Sequence, residues 1–292
     1  MNETLSHVIL TRFNLPSAGA EKVVRAKSGW LRDRTALFER YCLPSVAAQT
    51  DPAFAWIVYV DPQSPAWFFD WLDDVSPGRF HPVRREAVHR VDLLRDVVGV
   101  LGHEPDRLVT TNLDNDDAVS DDFVARLRAG GAATTGRAAL YLENGLVRRG
   151  ERVYAWRDPS NAFASVAEPF AGAVTCWVDW HNRLELQMPA VRLGGDAAWL
   201  QVIHGANVSN RVRGTLVDPR PYRARFVAGL DGTAAVARRR VVADRLVAAP
   251  ARAARDHGRS LVKRGVLAVG GREAVDRVNA LRRGVVRPRE GG

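Results

Sequence analysis

Short apolar runs alternate with stretches of helical period through the first two thirds of the chain, the order expected of an α/β domain. SHVILTRF (6–13) and FAWIVYVD (54–61), rich in β-branched and aromatic residues, predict two strands. Between them GWLRDRTALFERYCL (29–43) predicts a helix, with Leu31, Thr35, Phe38 and Cys42 at spacings of four, three and four. Pro44 is expected to end that helix or start the next turn. PQSPAWFFDWLDDV (62–75) follows as a loop and a short helix, RFHPVRRE (79–86) as a third strand, VDLLRDVVGVLG (91–102) as a glycine-ended helix and RLVTTNL (107–113) as a fourth strand. Right-handed crossovers between such units give a largely parallel sheet, and ligands bind outside the carboxyl ends of its strands. Thr11, Arg12, Asp61 and the acids from Asp114 to Asp116 all fall at those ends.

Further along, AALYLENGLVRRGERVYAWR (138–157) predicts a hairpin turning at Asn144 and Gly145, and AGAVTCWVDW (171–180) a buried strand. RLGGDAAWLQVIHGANVSN (192–210) offers a glycine-rich loop, a short helix or strand, and His204. The last stretch is rich in Ala, Val and Arg, and Val275, Val278 and Leu281 keep helical spacing, so short helices are expected there. This divides the chain into a domain over 1–232 and a basic helical extension over 233–292.

The formal charge of +9 belongs to that extension. Residues 233–292 hold 15 Arg and Lys against 5 Asp and Glu, a net of +10, which leaves −1 for the rest. No Phe, Tyr or Trp follows Phe226, so nucleic-acid binding lacks its stacking platform. An anionic membrane leaflet is the sharper expectation, and a solvated basic appendage the plainer one. The first 11 residues carry Glu3 and only the apolar run Val8 to Leu10, and the longest uncharged apolar stretch covers 169–178, far short of the roughly 20 residues of a span. A cytoplasmic protein, peripheral at most on the inner membrane face, is expected. Cys42 and Cys176 sit in apolar surroundings and suggest neither a disulfide framework nor a zinc site.

The chemistry concentrates in LDNDDAV (113–119), directly after the fourth strand. A calcium loop fails, because its fifth and sixth positions counted from Asp114 would be Ala118 and Val119. Helix capping explains Asp121 and Asp122 and one acceptor more, but not Asp114 together with Asp116. Crowded carboxylates ask for a positive partner, and oxygen ligands favour Mg2+ or Mn2+ over zinc. Neither GxxxxGK nor GxGxxG occurs, so a diphosphate bound through metal rather than a glycine cradle points to a nucleotide sugar.

Five segments in one order carry a resemblance: TRFN at 11–14, LF-x-x-YCLPS-x-x-x-QT at 37–50, FAWIVYVD at 54–61, TTNLDNDDAV at 110–119 and WLQVIHGAN at 199–207. Together, over about residues 5–215, the chain resembles a bacterial family of predicted rhamnosyltransferases. The resemblance implies a GT-A fold, a Rossmann-like nucleotide-diphospho-sugar transferase with a mixed, mostly parallel sheet flanked by helices. It implies that Asp114, Asn115 and Asp116 occupy the DxD position, the two carboxylates reaching the metal, with Asp117 orienting them or capping the next helix. Thr11 and Arg12 would contact the nucleotide, Asp61 its base or ribose, and His204 the metal or the diphosphate; for His204 a structural role is the alternative. Arg34 reads as an ion-pairing helix residue, and Arg84 and Arg85 as surface cations that could meet phosphate.

An inverting transfer needs a carboxylate base. Asp196 is the candidate, after Gly194 and Gly195 and before AAWLQ taken as helical, with capping as its alternative and Glu168 in reserve. The expected activity moves a sugar, rhamnose from a dTDP donor being one choice, to a hydroxyl of a glycan or lipid-linked acceptor. A nucleotidyltransferase using the same acids, or a non-catalytic membrane or nucleic-acid binding protein, are the rival readings.

Overall fold

The structure is a computed structural model describing residues 4–16, 28–204 and 211–255. Strands β1 (Leu5–Arg12), β2 (Ala55–Val60), β3 (His81–Arg84) and β4 (Arg107–Asn112) run parallel in the order β3-β2-β1-β4. Beyond β4 the sheet continues through β9 (Ser165–Pro169), β6 (Ala138–Leu142) and β10 (Ala190–Leu193). β9 pairs antiparallel on both sides, and β10 lies parallel to β6, so one strand of the seven opposes the rest. This mixed, mostly parallel sheet flanked by helices is the α/β architecture that the alternating pattern predicts.

Both faces of the sheet are covered at its centre, which is why β1 and β2 read as largely continuous apolar runs. On one face Ile9, Trp56, Val58 and Val60 pack with Phe38, Phe68 and Phe80. On the other, Val8, Leu10, Ile57 and Tyr59 meet Leu93, Val97 and Cys176. His7, on β1, is buried with its Nε2 2.7 Å from Thr111 Oγ1, which lies 2.7 Å from Ser165 Oγ. Burial first, then the positive charge of Arg128, lowers the His7 pKa to about 3.

Helix α1 (Trp30–Leu37) does not stop before Pro44. It widens into a π turn (Phe38–Cys42), where the Leu43 amide donates to the Phe38 carbonyl, and runs on as α2 (Leu43–Ala47). Proline cannot supply an amide to the preceding turn, and the wider turn absorbs that loss. Helices α3 (Ala66–Val75) and α4 (Arg90–Leu101) fall where the periodicity puts them, and Gly102 ends α4 at φ 75°. Helix α5 (Phe123–Ala132) follows the acid loop.

A second sheet departs from expectation. It orders β12 (Thr215–Val217), β8 (Arg152–Arg157), β7 (Asn144–Arg149), β11 (Trp199–Ile203) and β5 (Ala118–Val119). Asn144 and Gly145 are therefore not a hairpin turn: they open β7 after the chain leaves the first sheet at Leu142, and the hairpin tip lies at Gly150, φ 58°. Glycine is required at 145 for another reason, since a Cβ there would lie 2.0 Å from the Trp199 ring. The stretch 171–180 is loop rather than strand, because the Val174 and Thr175 amides donate to the fully buried Glu168 carboxylate instead of to a neighbouring strand. That burial also removes Glu168 from any acceptor site. AAWLQ enters β11, held between β7 and β5.

After β12 the chain forms α6 (Arg238–Ala243) and stays helical, apart from a π turn, to residue 255. Asp244 anchors it, accepting from the Leu216 amide at 2.8 Å and from Arg252 at 2.7 Å. No helix among the described residues is long and apolar enough to cross a membrane. Val275, Val278 and Leu281 lie outside the described residues.

Candidate active site

The loop from Leu113 to Asp117 leaves β4 at the carboxyl edge of the sheet and is bound down on several sides. Asn115 donates to the Phe13 carbonyl at 2.6 Å and accepts from Arg34 at 3.1 Å. Asp117 is buried, and its Oδ1 takes the Val202 amide of β11 at 2.8 Å. Asp116, also buried, accepts through Oδ2 from Arg34 at 2.6 Å and meets His204 Nε2 at 2.8 Å. Asp114 stands in the open cleft, its Oδ1 accepting a long contact from the Asn112 side-chain amide at 3.4 Å. One oxygen from each of Asp114, Asp116 and Asp117 lies within 4.8 Å of the others.

The electrostatics follow from this crowding. Asp117 is pushed well above the usual carboxylate range by burial, then by Asp116 and Asp114. Asp114 is raised too, by its surroundings first and Asp116 second; it touches solvent but is enclosed by protein on the other sides. Burial would raise Asp116 as well, but the bonds from His204 and Arg34 prevail and hold it below that range. One guanidinium and one imidazole thus face three acids, whose clustered oxygens are the donor type that suits Mg2+ or Mn2+.

Asp114 opens onto a cleft of about 830 Å3 lined also by Arg12, Asn112, Trp156, Asp158 and Trp177. The Arg12 guanidinium lies over the Trp177 ring, 4.1 Å from its centroid. Trp177 is fixed in turn by its indole N–H, which donates to Asn112 at 2.8 Å. Asp61 stands at the end of β2, where its carboxylate takes the Gln63 amide at 2.9 Å and closes a turn.

Two of the sequence-predicted site residues are not brought to the cleft. Thr11 is wholly buried and its hydroxyl accepts from the Trp56 indole at 2.9 Å, because alternation along β1 turns it into the core while Arg12 faces out. Asp196 lies beyond the opposite end of β11 from His204, with its side chain 82% exposed and paired to Arg225 at 2.5 Å. It does not line the cleft, and the helix it was to start is a strand. Asn115 and Asp117 brace the loop through backbone groups. Arg34 forms the ion pair expected of it, though with Asp116 itself. Arg84 lies over Phe69 and Arg85 pairs with Asp96, and neither lines the cleft. The sequence reading missed the far wall of the cleft, 176–182, whose dense CWVDWHN composition was its one signal.

A mixed, mostly parallel sheet with an acid loop at its carboxyl edge and a cleft beside it defines an α/β protein with a candidate ligand site. More narrowly, the chain belongs to the family described as "Putative rhamnosyl transferase", whose model matches residues 6–216. No curated protein matches the chain. Among solved structures it is similar to residues 1–349 of TarS from S. aureus in complex with UDP-GlcNAc, at 10% identity over 71% of this chain and 62% of that one, with a TM-score of 0.44. The inositol-1-phosphate CTP transferase from T. maritima gives 10% identity, 71% and 94% coverage, and a TM-score of 0.36. The chain thus spans about three fifths of the TarS fragment. Likenesses this distant do not bear on substrate.

Proposed function

We propose that the chain transfers a sugar from a nucleotide-diphosphate donor to an acceptor hydroxyl, with Mn2+ or Mg2+ held by Asp114, Asp116 and His204. The observation that carries this reading is the acid cluster with its raised Asp114 and Asp117, opening on a cleft of about 830 Å3 in a chain of this family. When bound, the cation neutralises charge gathering on the diphosphate leaving group. Asn115 and Asp117 brace the loop that carries Asp114 and Asp116, the two carboxylates that would hold the cation. In this reading Arg12, stacked on Trp177, meets the donor's phosphates, and Asp61 its base or ribose. Removal of the acceptor proton falls to Asp158 or Asp179, the other carboxylates lining the cleft. The family's name favours rhamnose as the transferred sugar.

Titration calorimetry with dTDP and UDP, in MnCl2 and in EDTA, tests the reading. Binding should require the metal and vanish in Asp114→Ala and Asp116→Ala. Equal, metal-independent binding by both variants would falsify it, and release of pyrophosphate from a triphosphate would transfer the acids to nucleotidyl chemistry.

A membrane-facing role for the 238–255 helix is the companion proposal. Val242, Leu246 and Val247 are exposed on it, beside Arg238, Arg239, Arg240 and Arg245. Apolar side chains flanked by arginines suit an anionic lipid surface and a lipid-linked acceptor.

A further inference from the structure

We propose that Trp180 is the stacking platform of an acceptor subsite that takes a pyranose ring, an inference that rests on the glycosyl-transfer reading above. Trp180 lines the same cleft as Asp114, yet 71% of its surface is exposed. A large apolar side chain left open in a cavity otherwise rich in polar groups marks a place where a ligand completes the packing.

The ring is presented by a fixed backbone. The Trp180 amide donates to Asp179 Oδ1 at 2.8 Å, and its carbonyl accepts from the Arg183 amide at 2.8 Å. Asp179 also takes the Gln187 side-chain amide at 3.0 Å and pairs with Arg183 at 3.3 Å. The next residue is clamped twice: the His181 carbonyl accepts from Tyr141 Oη at 2.5 Å, and its Nδ1 lies 2.6 Å from the Ser160 carbonyl. Residues on both sides of Trp180 are therefore tied to the protein, so a ligand need not order the segment itself.

The neighbours choose the ligand class. An indole face is electron-rich and apolar, and it matches the face of a pyranose, where polarised C–H groups cluster. Asp158 and Asp179 line the same cavity and can accept hydroxyl protons from the ring's edge. A lipid chain would instead have to lie against these carboxylates, at a cost in desolvation. The other tryptophans of the cleft already carry stacked groups: Trp177 lies under Arg12, Trp156 under Arg213 at 4.8 Å, and Trp199 against Phe163.

The test uses the full chain in MnCl2, with methyl α-L-rhamnopyranoside, methyl β-D-glucopyranoside and methyl β-D-galactopyranoside as probes. Saturation-transfer NMR reports glycoside binding, and calorimetry reports dTDP binding. At least one glycoside should bind, with affinity reduced about tenfold in Trp180→Ala, largely kept in Trp180→Phe, and dTDP affinity unchanged in both. Absence of glycoside binding by the unaltered chain, or full binding by Trp180→Ala, overturns the proposal. Loss of dTDP binding in Trp180→Ala also overturns it, by assigning the ring to the donor's base. Failure of the unaltered chain to bind dTDP counts instead against the transferase reading, because glycoside binding is measured without it.

Discussion

Replacing Arg34 by methionine probes the charge balance of the acid cluster. Methionine keeps an unbranched apolar stem near Trp30, whose ring lies 5.4 Å from the guanidinium carbon, but removes the charge that meets Asp116 at 2.6 Å. The side chains of that pair are 14% and 9% exposed, so the interaction is largely shielded from water. Deleting one member of a buried pair costs about 3–5 kcal/mol. The lower end applies, because His204 also serves the same Asp116 oxygen at 2.8 Å. A loss of about 3 kcal/mol corresponds to a fall in Tm of roughly 6–12 °C for a domain of this size. Arg34 also opposes the rise in Asp114 and Asp117, so both should move further toward protonation without it. A divalent cation supplies the missing charge, and excess MnCl2 should narrow the gap. Thermal unfolding followed by circular dichroism, in EDTA and in MnCl2, measures both effects, and Arg34→Lys should lie between. If Arg34→Met melts with the unaltered chain in EDTA, the pair has no structural weight; if manganese leaves the gap unchanged, the acids are not a cation site.

Gly145→Ala should cost about 2–4 kcal/mol in urea unfolding, because the new Cβ would displace Trp199 from its Leu142 hydrogen bond and its stack on Phe163; a loss below about 0.5 kcal/mol would show that the close approach is unnecessary. His7 titrates near 6.5 unfolded and about 3 folded, so the folded state rejects the proton and stability should fall as pH drops below 6.5 toward 3, by at most about 1.4 kcal/mol per pH unit. The difference in urea midpoints between the unaltered chain and His7→Gln isolates that slope from the opposing effect of Asp114 and Asp117; parallel pH profiles would refute it. Asp196→Asn should retain turnover and lose under about 1 kcal/mol of stability, whereas a fall of about 100-fold in kcat would restore Asp196 as the base. Changing Val242, Leu246 and Val247 together to Ser should weaken sedimentation with phosphatidylglycerol vesicles while dTDP binding persists, and unchanged sedimentation would remove the membrane surface from the scheme.

The elements that the sequence determined by itself are those whose signal is local. Strands β1 and β2 announce themselves because each carries a run that is apolar on both faces, and α3 and α4 because their period and end signals lie within one window. The acid loop was legible for the same reason: capping accounts for one acceptor, and the loop holds more. The break between β6 and β7 was hidden because Asn144–Gly145 has the letters of a turn, while the constraint on Gly145 comes from Trp199, more than fifty residues away.

Tertiary structure alone decided which carboxylates do what. Asp114, Asp116 and Asp117 are close equivalents in the sequence. Yet β11 claims Asp117 through the Val202 amide, Arg34 and His204 claim Asp116, and Asp114 is left at the cleft. Thr11 and Arg12 differ by one residue and end on opposite sides of the sheet, because side chains alternate along a strand and only the packed neighbours say which face is core. Asp196 looked suited to catalysis by its glycine-rich setting, but β11 carries it to the far end from His204. Period and composition reveal that a residue is polar and where its element runs; the partners that bury, pair or expose it come from distant parts of the chain, and those partners set its charge state and its use.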